Sequence, residues 1–189
     1  MIAGDRLPTL NAERVALRWL TEADVPDLFA VFGDPAVMRY WSSPPLVDDA
    51  AARELLAEIH ELFAKGTLHQ WGVGLIDSGE IIGTCTLTSW QAESRRAELG
   101  FALGRKHWGH GYMSEALTAL LNYAFGELDL NRLEADVDPR NRGSRRLLER
   151  LGFVPEGLLR ERWILAGEVQ DSKLYGLLAR QWKALRASD

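Results

Sequence analysis

The stretch Glu98-Leu-Gly-Phe-Ala-Leu103, followed by Gly104-Arg-Lys-His-Trp-Gly109-His-Gly111-Tyr112, decides how this chain folds. Ala97, Leu99, Phe101 and Leu103 alternate with Glu98, Gly100 and Ala102, the period of a strand whose two faces meet different surroundings. After the glycine-rich turn, Met113, Leu117, Leu120, Leu121, Ala124 and Leu128 form one stripe, which predicts a helix over 112–128. A strand that ends in a Gly-x-Gly turn and opens a helix aims several unbonded backbone N–H groups at one point. The helix dipole adds about half a positive charge there, so the turn is a cradle for phosphates. Glycine is needed because a Cβ would block the approach of phosphate oxygens to the backbone.

Upstream, Val15, Leu17 and Trp19 alternate with Ala16 and Arg18, a strand over 14–20. Thr21 with Asp24 three residues on matches a helix N-cap, and Val25, Leu28, Phe29 and Phe32 follow at helical spacing. Asp34-Pro35 starts a short turn of helix, and Leu55, Ile59 and Leu62 mark one face of a helix over 48–65. Residues 69–76 and 81–89 read as strands joined by Asp77-Ser78-Gly79, a hairpin signal. Downstream, Leu133, Ala135 and Val137 alternate with charged residues in a strand over 132–137. A helix over 144–151 stops at Gly152, strands over 158–164 and 169–177 flank a turn at 166–168, and 179–185 is helical. Hairpins around a single βαβ crossover predict a mixed α/β sheet of six or seven strands. No repeat, low-complexity tract or linker appears, so one domain over 1–189 is expected.

Composition bounds the function. The 189 residues are 47% apolar and 26% charged, an ordinary globular balance. The single cysteine, Cys85, allows no internal disulfide and suits a reducing compartment. No basic-then-apolar leader is evident, and the most apolar stretch, 116–125, is far short of a membrane span. A cytoplasmic protein with no membrane partner is expected. The net charge of −5 argues against nucleic acid as a partner. Residues 1–95 carry a net −7 and 96–189 a net +2, which suits a cationic partner on one side and an anionic one on the other.

Three phosphate ligands compete for the cradle. Gly104-x4-Gly109 begins like a Walker A loop but continues His110-Gly111 where Lys-Ser/Thr is needed, which excludes a P-loop NTPase. Gly109-x-Gly111-x-x-Ser114, with Glu134 twenty residues on, fits the dinucleotide fingerprint of an oxidoreductase more fairly. A Rossmann sheet, however, needs several parallel units where one crossover is visible. The third ligand comes from a resemblance. Trp108-Gly-His-Gly-Tyr112, Ser114-Glu-Ala-Leu117, Asn131-Arg-Leu-Glu-Ala135, Asn141-x-x-Ser144, Leu147-Leu-Glu-Arg-Leu-Gly-Phe153 and Glu156-Gly157 follow the strand 98–103 in order. Together they resemble the GNAT-type N-acetyltransferases, and most closely their RimJ/RimL-like branch. The likeness runs upstream to Asp34-Pro-Ala-Val-Met-Arg-Tyr40 and downstream to Asp171, Tyr175 and Trp182.

The resemblance implies a mostly antiparallel GNAT-like sheet with helices on both faces and acetyl-CoA as cosubstrate. It implies an amine acceptor, either a protein N-terminal α-amine, which the branch favours, or a small amine. The pyrophosphate is implied to rest on the amides of Lys106, His107, Trp108, Gly109, His110 and Gly111 and on Tyr112. The strand edge at Phe101, Ala102 and Leu103 is implied to hydrogen-bond the pantetheine arm. Lys106 departs from the Arg or Gln that the wider superfamily often carries there. A non-catalytic acyl-CoA-binding sensor would keep the same cradle and lack turnover, and a homodimer stays open.

Asn141 and Ser144 suit a helix cap. The resemblance also places Asn141 on the pantetheine and Ser144 near the departing thiolate. An α-amine has a pKa near 8, so a modest base suffices, and a carboxylate close to the amine would serve. Glu98 is the candidate, because period two puts it on the face of the small residues Gly100 and Ala102. His107 and His110 lack a carboxylate or thiol at ligand spacing, so no metal is expected. Arg140, Arg142, Arg145, Arg146 and Arg150 are either a solvated helix face or an attractor for a nucleotide phosphate. Cys85 reads as a buried small hydrophobe.

Overall fold

The computed structural model describes residues 4–165 and 167–187; Ala166, in the turn expected at 166–168, lies outside the described residues. The strands are β1 (Leu10–Asn11), β2 (Val15–Arg18), β3 (Leu68–Leu75), β4 (Ile81–Gln91), β5 (Arg96–Leu103), β6 (Arg132–Val137), β7 (Val154–Leu165) and β8 (Glu168–Leu178). The helices are α1 (Val25–Phe32), α2 (Pro35–Met38), α3 (Asp49–Ala64), α4 (Tyr112–Gly126), α5 (Arg142–Arg150) and α6 (Ala179–Arg186). The strands form one sheet in the order β1-β2-β3-β4-β5-β6-β8-β7, in which only β5 and β6 run parallel. The mixed, mostly antiparallel sheet is thus the expected one, with eight strands among the described residues instead of six or seven. The extra strand, β1, has two residues and is too short to show a period. One parallel pair also leaves no doubly wound sheet for the dinucleotide reading.

The N-cap expected at Thr21 is present, although it opens a 3-10 turn, Glu22–Asp24, ahead of α1. The Asp24 carboxylate accepts the N–H of Thr21 at 2.8 Å and two hydrogen bonds from Arg18. Burial works against its charge, but these donors outweigh burial and hold the carboxyl below its usual range. Asp48 caps α3 by accepting the N–H of Ala51 at 2.8 Å.

Helices cover both faces of the sheet. Leu117, Leu120, Leu121 and Ala124 of α4 bury against Leu87, Leu99, Leu133 and Ala135, and Leu148 of α5 and Trp182 of α6 complete that layer. Opposite, Leu28 and Phe32 of α1 and Leu56 and Ile59 of α3 pack with Leu20, Ile81 and Ala102. Each fully buried Leu or Ile contributes about 1.5–3 kcal/mol. Cys85 is wholly buried beside Met113, its sulfur 3.6 Å from the thioether, and burial pushes its thiol pKa up, so it packs as a small hydrophobe.

His69 of β3 lies among Phe63, Trp71 and Trp90, with ring centroids 4.7 Å from Trp90. Its Nδ1 is buried without a hydrogen-bond partner, and burial pulls its pKa down to about 4. The unfolded chain binds that proton near pH 6.5 and the folded chain only near pH 4. Stability is therefore lost as pH falls through that window, by up to about 3 kcal/mol. Urea unfolding at pH 7 and pH 4.5 is expected to show a smaller difference for His69→Leu than for wild type; equal differences would assign the acid sensitivity to other groups.

Candidate functional site

The site begins where β5 and β6 part. Their parallel ladder pairs Arg96, Ala97 and Glu98 with Arg132, Leu133 and Glu134 and goes no further, although β5 continues to Leu103. On its other edge β5 stays paired with β4 as far as Leu103, and the Gly104 N–H donates to the Ile82 carbonyl at 2.8 Å. Hydrogen-bonding direction alternates along a strand, so Phe101 and Leu103 turn their main-chain polar groups toward the gap. Trp108 Nε1 fills one of these positions by donating to the Leu103 carbonyl at 2.7 Å.

The glycine turn closes the same end. Gly109 and Gly111 have φ of +81° and +86°, left-handed values that glycine adopts without strain, and Gly111 is the N-cap of α4. A Cβ on Gly109 would meet nothing within 4 Å, so its hydrogen faces open space. Arg14, just before β2, braces the turn from outside. Its guanidinium donates to the His110 carbonyl at 2.9 Å, pairs with Glu115 and lies 4.8 Å from the Tyr112 ring centroid, while His110 and Tyr112 stack. Nothing local in the sequence marks Arg14, because its partners are about a hundred residues away.

A cavity of about 660 Å³ occupies the gap. Of the residues singled out in the sequence, Phe101, Ala102, Leu103, Trp108, Gly109, His110, Gly111, Asn141 and Ser144 line it. Lys106, His107 and Tyr112 are not among its walls. Lys106 Nζ is 2.6 Å from the Glu80 carboxylate and His107 Nε2 is 3.7 Å from it, so these two side chains turn toward β4. Of the turn, Trp108, Gly109, His110 and Gly111 face the cavity. Among the described residues no group of His, Cys, Asp and Glu has the arrangement of a metal site. Arg142 and Arg150 also line the cavity and have no ion pair among the described residues. Arg140 is engaged by Asp138 and Glu168, and Arg145 donates to the Pro139 carbonyl and the Tyr175 hydroxyl. Arg142 and Arg150 of the cluster therefore face the cavity, and Arg140 and Arg145 belong to the scaffold. Tyr40, which ends the stretch 34–40 quoted above, and Trp41 beside it also line the cavity.

Asn141 caps α5, its Oδ1 accepting the Ser144 N–H at 3.1 Å, which leaves its amide N–H groups for a ligand. Glu98 lies outside the cavity walls, half-buried on the face of Gly100 and Ala102. Burial raises its pKa first, and the nearby charges of Asp136 and Glu134 raise it further; a hydrogen bond from Ser89 and the charge of Arg162 pull the other way.

A sheet splayed at its one parallel pair, with a left-handed glycine turn leading into a helix at the splay, defines an acetyltransferase architecture. Residues 14–154 match the acetyltransferase (GNAT) domain, and the chain belongs to that family. It is 38% identical to the uncharacterized N-acetyltransferase p20 of Bacillus licheniformis, over 93% of this chain and 99% of that one. It is 34% identical to the ribosomal protein uS5-alanine N-acetyltransferase of Escherichia coli, over 67% of this chain and 66% of the relative. The structure of Mycobacterium smegmatis RimJ in complex with CoA-disulfide shares the fold with a TM-score of 0.84 at 22% identity, covering 96% of this chain and 94% of that one. The protein is thus a GNAT acetyltransferase related to ribosomal-protein N-acetyltransferases. Among the described residues no helix is long and apolar enough to cross a membrane.

Proposed function

We propose that this chain, acting as one domain, transfers an acetyl group directly from acetyl-CoA to a primary amine, with a protein N-terminal α-amine as the favoured acceptor class. The observation that carries the reading is the gap between β5 and β6 closed by the Gly109–Gly111 turn at the N-terminus of α4. The pyrophosphate would rest on the turn amides, with Arg142 and Arg150 supplying positive charge at the same cavity. The pantetheine would run along the free edge of β5 and meet the Asn141 amide. When bound, acetyl-CoA supplies an activated acyl carbon and a thiolate leaving group. A main-chain N–H at Phe101–Leu103 would stabilise the charge that develops on the acyl oxygen. The new bond joins the amine nitrogen to the acyl carbon as the carbon–sulfur bond breaks. Glu98, directly or through one water, would take the proton of the acceptor's ammonium form before attack, and the proton the nitrogen loses on attack would reach the departing sulfur through Ser144.

The uS5-alanine relative favours a protein N-terminus as acceptor. CoA release measured against a panel of N-terminal peptides and small amines tests this. Turnover with the peptides supports it, turnover with small amines alone reassigns the acceptor, and binding without turnover on any amine would make the chain an acyl-CoA sensor.

Acetyl-CoA is also expected to stabilise the fold. At a hundred times its dissociation constant a ligand adds about 2.7 kcal/mol, which raises the melting temperature of a domain this size by about 5–10 °C. NADH and ATP are expected to do much less; a rise with NADH and none with acetyl-CoA would contradict the assignment.

A further inference from the structure

Beside the gap, on the face opposite α4, lies a second carboxylate that the reaction scheme has not used. Asp136 sits two residues beyond the Glu98–Glu134 register pair, on the first stretch of β6 that has no β5 partner. Leu133, Ala135 and Val137, which alternate with it along β6, point into the α4 core, so Asp136 lies on the opposite face with Glu134 and shares the face of Glu98. Its side chain is 15% exposed. Oδ1 accepts a hydrogen bond from the buried Ser172 hydroxyl of β8, and Oδ2 accepts one from Trp163 Nε1 of β7 at 3.3 Å, with Arg162 Nε at 3.9 Å.

The charged groups around Glu98 come from three strands. Glu134 is neutralised by Arg96 and Arg132, and Arg132 also pairs with Glu156. Arg162 of β7 is half exposed. Ser89, at φ +53° in the irregular stretch of β4 between Thr88 and Gln91, gives Glu98 a hydrogen bond. Asp136 therefore has two hydrogen-bond donors holding its carboxylate and Glu98 has one hydroxyl, while the charge of Arg162 reaches both.

We propose that Asp136 is a positioning residue: a fixed carboxylate, held by Ser172 and Trp163, that makes Glu98 the proton-exchanging member of the pair and draws a cationic amine to it. The inference rests on the acetyl-transfer reading above and adds the residue that sets the base. A proton leaves the ammonium form of the acceptor for the Glu98 carboxylate, giving a neutral amine and a carboxylic acid, so charge and atoms balance. A half-buried carboxylate that shares its face with a fixed like charge holds its proton to higher pH. That narrows the gap between Glu98 and an amine of pKa near 8, at a factor of ten in proton-transfer equilibrium per pH unit.

The test is a carbon-13 NMR titration of labelled Glu and Asp carboxyls, with Glu98 assigned by the signal lost in Glu98→Gln. In Asp136→Asn the Glu98 midpoint is expected to move to lower pH, and the acid limb of kcat/KM to move with it, while acetyl-CoA affinity stays at the wild-type value. The loss in kcat is expected to be smaller than the 10²–10⁴-fold of base removal. If Asp136→Asn does not fold, the reciprocal measurement stands in. The Asp136 signal of wild type should inflect at the Glu98 midpoint, and that inflection should vanish in Glu98→Gln. An unmoved Glu98 midpoint, or an Asp136 signal blind to Glu98, would overturn the proposal. Because the titration needs no turnover, a coupled pair in a protein that acetylates nothing would sink the functional reading and leave the pair standing.

Discussion

Replacing Gly109 with aspartate is expected to weaken acetyl-CoA binding by on the order of 10²–10³-fold while the protein remains folded. The Cβ at this position meets open space, so the fold bears only the left-handed backbone, about 1–2 kcal/mol for a residue with a side chain. The added carboxylate stands where the pyrophosphate is proposed to sit. Two like charges about 4 Å apart near a protein surface repel by about 4 kcal/mol, enough for the loss stated. Gly111 is the less clean choice. A Cβ there lies 3.2 Å from the Arg14 guanidinium, so an acid would find a partner. Calorimetric titration with acetyl-CoA, beside a melting curve, reads the result. Wild-type affinity in a folded Gly109→Asp protein would place the phosphates elsewhere.

Glu98→Gln is expected to lower kcat by about 10²–10⁴-fold, with acetyl-CoA affinity retained. Glutamine keeps the shape of the side chain and cannot take the proton. The deficit should shrink as pH rises through the acceptor's own pKa, because the free amine then needs no base. Wild type should show an acid limb above the usual carboxylate range, since burial and the charges of Asp136 and Glu134 raise the Glu98 pKa. A merely structural Glu98 predicts a change in melting temperature and little loss of rate per folded molecule. Overlaid pH–rate profiles at saturating acetyl-CoA would eliminate it as the base.

The glycine turn, the strand before it and the helix after it were legible because their signals are local. Alternation over 96–103, two glycines and a stripe from Met113 onward each depend on neighbours in the chain. Asn141 and Ser144 were legible for the same reason, since a cap joins residues three apart. Asp136 lay within reach of the period-two reasoning that singled out Glu98, but the shared face of β5 and β6 depends on their register, which no local pattern carries.

The sequence by itself determined the order of the main elements, the glycine turn between β5 and α4 and the family to which they belong. Tertiary structure alone decided which candidates meet. It turned Lys106 and His107 toward Glu80, split the arginine cluster between cavity and scaffold, and brought Arg14 under the turn. It also stopped the β5–β6 ladder at Glu98, opening the cavity where a continuous pair would have closed it. The physical reason is one of range. Propensity, periodicity and capping act over a few residues, whereas ion pairs, strand register and cavities join positions that only the packed core brings together.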